Sequence, residues 1–190
     1  GVLLQQDAKR DFIMGQEIES IGIKTNHMHC VLELDIEIKL PNGNKIKPTL
    51  LQYDVESPYR ICDAPFMERE NIQAEVRKWE QVNEWGYEKY HMIAANVLIH
   101  NLRILHDNNI LHNAIHEQNY TWAACSLNHP YTKEDDQRHA KDLFAREIIQ
   151  TYVIINYIAG VLREEPDFKA IDSLFKEFGF DLKQYAVNIT

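Results

Sequence analysis

The sequence predicts an α+β fold: a helix and a β-hairpin at the N-terminal end, then a longer, mostly helical part. Three observations carry that expectation. Residues 29–40 alternate apolar and charged side chains strictly, and Pro41-Asn42-Gly43-Asn44 follows them. Such alternation marks a half-buried strand, and Asn-Gly is a strong hairpin-turn signal. From residue 68 onward apolar residues recur at helical spacing. The two regimes meet near Pro58 and Pro65, which divides the chain into a hairpin unit over 1–64 and a helical unit over 65–190.

Each element has its own signal. Phe12, Ile13, Gln16 and Ile21 place a short helix over 9–21, stopped by Gly22, although Gly15 inside it costs about 1 kcal/mol relative to alanine. In the alternating strand, Leu32, Leu34, Ile36, Ile38 and Leu40 form the oily face expected to be buried. Val31, Glu33, Asp35, Glu37 and Lys39 form the other, with the three acids in solvent. Residues 45–53 return as a second strand, with Pro48 marking an edge or a bulge. A polar amphipathic helix over 68–85 carries Ile72, Val76 and Trp79. A longer one over 87–106 turns Ile93, Val97, Leu98, Leu102 and Leu105 inward and ends at Asp107-Asn108-Asn109. Residues 110–130 have neither period and read as an ordered loop. One or two helices span 134–164, opening on Glu134, Asp135 and Asp136, an acidic turn suited to a helix N-terminus, and Pro166 ends them. A last helix over 167–178 is capped by Gly179. Trp79, Trp85, Tyr87 and Tyr90 read as core packing.

Composition narrows the function. The chain has 190 residues, 20 Lys+Arg against 29 Asp+Glu and a net charge of −9. With no Lys/Arg-rich run, it has no footprint for a nucleic-acid backbone. A hydrophobic content of 45% is that of a folded domain. No apolar run reaches the roughly 18 residues of a membrane span. The longest, 152–162, is interrupted by Asn156 and Gly160. The first residues lack the pattern of a signal peptide. Cys30, Cys62 and Cys125 form no CxxC motif and cannot all pair, which suits reduced thiols in the cytoplasm.

The chemistry concentrates in 105–119, Leu-His-Asp-Asn-Asn-Ile-Leu-His-Asn-Ala-Ile-His-Glu-Gln-Asn. This stretch resembles the end of the long C-lobe helix and the catalytic loop of the protein-kinase-like superfamily. Its aminoglycoside-kinase-like and lipopolysaccharide-kinase-like branches read roughly H-G-D-x-H-x-x-N there. The resemblance makes His112 and His116 the two histidines and Asn119 the metal-holding asparagine, and it puts Ala114 where the catalytic aspartate belongs. A carboxylate there orients the nucleophile and accepts its proton, and alanine does neither. Residues 10–25, RDFIMGQEIESIGIKT, similarly resemble a helix of selenoprotein-O-type adenylyltransferases, with Glu17 as the glutamate that pairs with an ATP-anchoring lysine. A glycine-rich hairpin and a lysine strand should precede it, and the nine residues before Arg10 contain neither. The resemblance thus implies a kinase-like fold with a truncated N-lobe and a helical C-lobe.

The expectation is a catalytically degenerate, pseudokinase-like protein that works by binding a protein partner or a second copy through its N-terminal sheet edge, since two strands alone are marginal. An enzyme reading needs ATP and Mg²⁺ at Glu17, His112, His116, Asn119 and Asp136, the last as a relocated metal-binding acid. The 120–130 stretch contains no acid, and Asp135 and Asp136 also read as a solvated helix start. A third reading is a small zinc protein. His112 and His116 have the i,i+4 spacing of helical zinc ligands, with His106 or His139 as a third. His112 also reads as a histidine bracing the loop through hydrogen bonds. The Cys125–His129 pair lacks any nameable oxyanion donor or third catalytic partner.

Overall fold

The computed structural model describes residues 3–81, 87–123, 132–133 and 137–185. The fold is α+β, with most of the described chain helical. Helix α1 (Gln5–Ser20) begins four residues before the expected start and buries Ala8, Gly15 and Ile18. It ends where Gly22, at φ +88°, donates to Glu19 O and Ile23 donates to Ile18 O. That pair of bonds is a Schellman closure, and its left-handed position suits glycine. Gly15 is explained by packing: a Cβ there would stand 2.8 Å from the Met28 side chain.

The alternating run is two strands, β1 (His27–Glu33) and β2 (Ile38–Lys39), rather than one. They return as β3 (Lys45–Ile46) and β4 (Thr49–Asp54). β1 pairs with β4 antiparallel from His27↔Asp54 to Glu33↔Thr49, and β2 pairs with β3 around the Asn42-Gly43 turn. Between Met28 and Cys30 the register shifts, leaving His29 as the extra residue of a bulge.

That bulge overturns the expected burial. Met28 and Val31 oppose Tyr53 and Leu51 on the face toward α1, so Cys30 and Leu32 oppose Gln52 and Leu50 on the open face. Leu32 and Leu50 are consequently 47% and 52% exposed, and Ile36 is 54% exposed. Glu33 turns toward α1 and accepts a bond from Gln5 Nε2 at 2.8 Å. Asp35 and Glu37 stay in solvent beside Lys47 and Lys45, as the sequence suggests.

After a 3-10 turn (Ile61–Phe66) come α2 (Arg69–Gln81) and α3 (Tyr90–Asp107). Next are β5 (Ile110–Leu111), β6 (Thr132–Lys133), α4 (Gln137–Leu162) and α5 (Phe168–Glu177). The stretch expected to be all loop thus contains β5, which pairs with β6. The 134–164 region holds one continuous helix from Gln137, while Glu134, Asp135 and Asp136 lie outside the described residues. α3 is the centre of the main core, packed against α2, α4 and α5. Trp79, Tyr87 and Tyr90 belong to that core, and Trp85 is not among the described residues. A second, smaller cluster of Ile18, Ile23, Leu105 and Ile110 joins α1 to the end of α3. Among the described residues no helix is long and apolar enough to cross a membrane.

Glu164 fastens the start of α3. Its carboxylate accepts the Tyr90 and His91 backbone N–H groups and meets the buried His91 ring nitrogen Nδ1. Burial pulls its pKa upward, but the bonds from His91 outweigh that and hold the carboxyl below its usual range.

Candidate functional site

The histidine-rich segment grows out of the C-terminal end of α3. Asn109 takes a left-handed φ of +54°, which an asparagine tolerates, and turns the chain into β5. Ile110, Leu111, His112 and Ile115 are all buried, so the segment is anchored by its apolar residues. Asn113 is also left-handed, at φ +66°. Its backbone N–H donates to Glu147 Oε1 at 2.7 Å, and Glu147 Oε2 lies 3.0 Å from His106 Nε2. The buried carboxylate of α4 therefore ties the last turn of α3 to the start of the loop.

The loop then closes on itself. His112 accepts the Ala114 N–H through Nδ1 at 3.3 Å and stacks on Tyr120 with ring centroids 5.3 Å apart. Asn119 Nδ2 lies 2.9 Å from both the Ala114 carbonyl oxygen and His116 Nε2. Arg60 closes the outer side, donating through Nη1 to the Gln118 carbonyl at 3.2 Å, while its own N–H donates to Asp63. Below, the Tyr90 hydroxyl donates to the Trp122 carbonyl. Burial pushes that phenol far up in pKa, with Glu75 and Glu164 adding to the effect, so it remains a donor.

Of the residues singled out from sequence, His112, Ala114, His116 and Asn119 come together in one hydrogen-bonded turn. His112 is the buried brace that hydrogen bonding suggests. Glu17 stands on α1 one residue before Ile18, which packs at the junction with Leu105 and Ile110. Asp135, Asp136, Cys125, His129 and the His139 side chain lie outside the described residues. The helical geometry behind the zinc reading is not present: residues 112–116 contain a left-handed Asn113 and an extended His116, and His106 turns to Glu147. Among the described residues no group of three His, Cys, Asp or Glu side chains is placed to hold a metal ion.

The loop's own residues offer a phosphate group little, and the cation beside it, Arg60, holds the Gln118 carbonyl. Residues 110–132 contain no Lys or Arg, and Ala114 contributes only backbone to its turn. Cys62 stands on the 3-10 turn beside Arg60. Burial and then Asp63 push its thiol pKa up against the pull of Arg60, which disfavours the thiolate.

Sequence reading missed Glu147 and Arg60. Glu147 carried a signal: it is an acid beside the apolar row of Phe144, Ile148, Thr151, Ile155 and Ile158 on a helix. A charge bordering a buried stripe implies a buried partner. Arg60 had none, because its contact with Gln118 spans 58 residues. The sequence matches no known family model and none of the curated proteins.

Proposed function

We propose that this chain is a catalytically degenerate, kinase-like protein of the cytoplasm that acts by binding a protein partner, or a second copy of itself, through its N-terminal sheet. The observation that carries the reading is the loop at 112–119. Its backbone is braced at every turn, yet the position resembling a catalytic aspartate is Ala114, engaged only through its own N–H and carbonyl. The frame of a phosphotransfer loop without its carboxylate suits a binding role better than chemistry.

The sheet supports the binding side of the reading. β1 and β4 form a two-stranded sheet with one face on α1 and the other presenting Leu32 and Leu50 at about half exposure. A partner adding a strand or covering that face would bury both leucines and pair free edge groups.

Two measurements test this. Thermal unfolding with millimolar ATP and Mg²⁺ or Mn²⁺ is expected to show no stabilisation, because a ligand that binds the native state must raise its melting temperature. A clear shift would favour an ATP-dependent phosphoryl or nucleotidyl transferase instead. Sedimentation of the purified chain together with hydrogen exchange reads the sheet. Self-association lost in Leu32→Ser/Leu50→Ser, or rapid exchange in the uncovered β1–β4 pair, is expected. A strict monomer with a fully protected hairpin would overturn the partner role.

A further inference from the structure

One apolar cavity shares no lining residue with the loop or the sheet. It lies between α4, α5 and the 3-10 turn Leu182–Gln184, with a volume of about 430 Å³. Ile149 and Tyr152 form its α4 wall, Phe168 its α5 wall, and Leu182 and Tyr185 its third side. Phe168 is 56% exposed, an uncommon position for a phenylalanine on the strongly amphipathic α5. Five of the seven lining side chains are thus apolar or aromatic. Ligand sites typically combine such walls with a few charged or polar groups, in volumes of roughly 300–1,000 Å³.

The two remaining lining residues, Asp172 and Lys183, decide the charge of the ligand. Asp172 is already matched, with the Lys176 ammonium 2.5 Å from its carboxylate one helical turn away. Lys183 forms no ion pair among the described residues, and its backbone N–H is fixed by Asp181 at 3.1 Å. Among the described residues the cavity therefore has an apolar body and one positive charge without an ion-pair partner. A neutral hydrocarbon would leave that charge unused, and a cationic amphiphile would be repelled by it. An apolar cavity of about 150 Å³ takes one benzene, so this volume scales to roughly seventeen non-hydrogen atoms.

We infer that this cavity is a binding site for a free fatty acid of about twelve to sixteen carbons by that scaling, its chain lying along Tyr152, Phe168 and Leu182 and its carboxylate meeting Lys183. The site is separate from the proposed partner-binding sheet, so the failure of either leaves the other standing.

The experiment titrates the full chain with ¹³C-carboxyl-labelled laurate below its micelle concentration, followed by NMR and calorimetry, with dodecanol as the neutral probe. Saturable one-to-one binding of laurate is expected, with dodecanol at least about threefold weaker, the range of an exposed ion pair. Lys183→Gln should weaken laurate about threefold and leave dodecanol unchanged. Phe168→Ser, at an exposed position that the fold tolerates, should weaken both probes about tenfold. Leu32→Ser on the distant sheet should alter neither. Absence of saturable laurate binding overturns the site. Equal binding of laurate and dodecanol, with Lys183→Gln silent, overturns the carboxylate and reduces the cavity to a nonspecific apolar surface.

Discussion

Glu147 offers the sharpest test of how the loop is held. Its carboxylate is 3% exposed and accepts from the Asn113 N–H at 2.7 Å and from His106 at 3.0 Å. Glu147→Ala removes the acceptor of two part-buried hydrogen bonds, each costing up to about 1–3 kcal/mol. Together they predict a loss of about 2–4 kcal/mol. Glu147→Gln is the informative contrast. Its oxygen still accepts from Asn113, and its amide can donate to His106 once the neutral ring carries its proton on Nδ1. Losing charge assistance alone leaves a cost of about 1–2 kcal/mol. Urea unfolding followed by fluorescence and circular dichroism gives both values. Exchange at the Asn113 amide should accelerate far more in the alanine variant. An alanine variant within about 1 kcal/mol of the parent, or a glutamine variant as damaged as the alanine one, would refute the assignment, because either outcome falls outside the cost of losing two part-buried hydrogen bonds.

Two further perturbations probe the frame. Gly15→Ala gains about 1 kcal/mol of helix propensity but drives a methyl against Met28, and overpacking costs about 1–3 kcal/mol. A net loss that Met28→Ala partly relieves is expected, read as a coupling energy in a double-mutant cycle of melting temperatures. Glu164→Gln should cost about 1.5–3 kcal/mol at neutral pH, the range for hydrogen bonds to a charged group. Because the native carboxyl is held below its unfolded value near 4.3, its stabilisation is complete above that value and is lost as pH falls through the native one. The parent and Glu164→Gln unfolding curves should therefore converge on acidification from about pH 5 downward. A gap that persists to pH 2 would refute the assignment.

What was legible in the sequence follows the range of the forces involved. Helices α2 and α5 could be read from spacing because each buries one stripe against the main core, and α3 from its length and apolar content, since its first two turns are buried all round. Gly22 and Gly179 marked ends because left-handed closure is a local requirement, met at φ +88° and +83°. The strand failed for the opposite reason. Alternation reports which residues share a face but is silent about which face turns inward, and with one extra residue at His29 the β1 face that carries Leu32 turns outward, while Leu34, Ile38 and Leu40 further along stay half-buried. The loop was legible in its residues and illegible in its bracing. Asn119 and Ala114 are five apart, within reach of motif reading, whereas Asn113 and Glu147 are 34 apart and meet only because α4 packs on α3.

That division bears on what an ordered loop signifies. Ile115, Tyr120 and Trp122 are buried in the main core and Ile110 in the smaller cluster beside α1, so the segment would be held whether or not it did chemistry. Glu147 holds the Asn113 N–H and the His106 ring, and Arg60 holds the Gln118 carbonyl. Order at 110–122 is thus a property of packing and is no argument for catalysis. Chemistry at this loop depends on the side chain at 114 and on the charge available around it. Alanine at 114 and the absence of Lys and Arg over 110–132 both weigh against a phosphate there. The apolar features that could engage a ligand are elsewhere: among the described residues they include the Leu32–Leu50 pair of the sheet and the cavity beside Phe168.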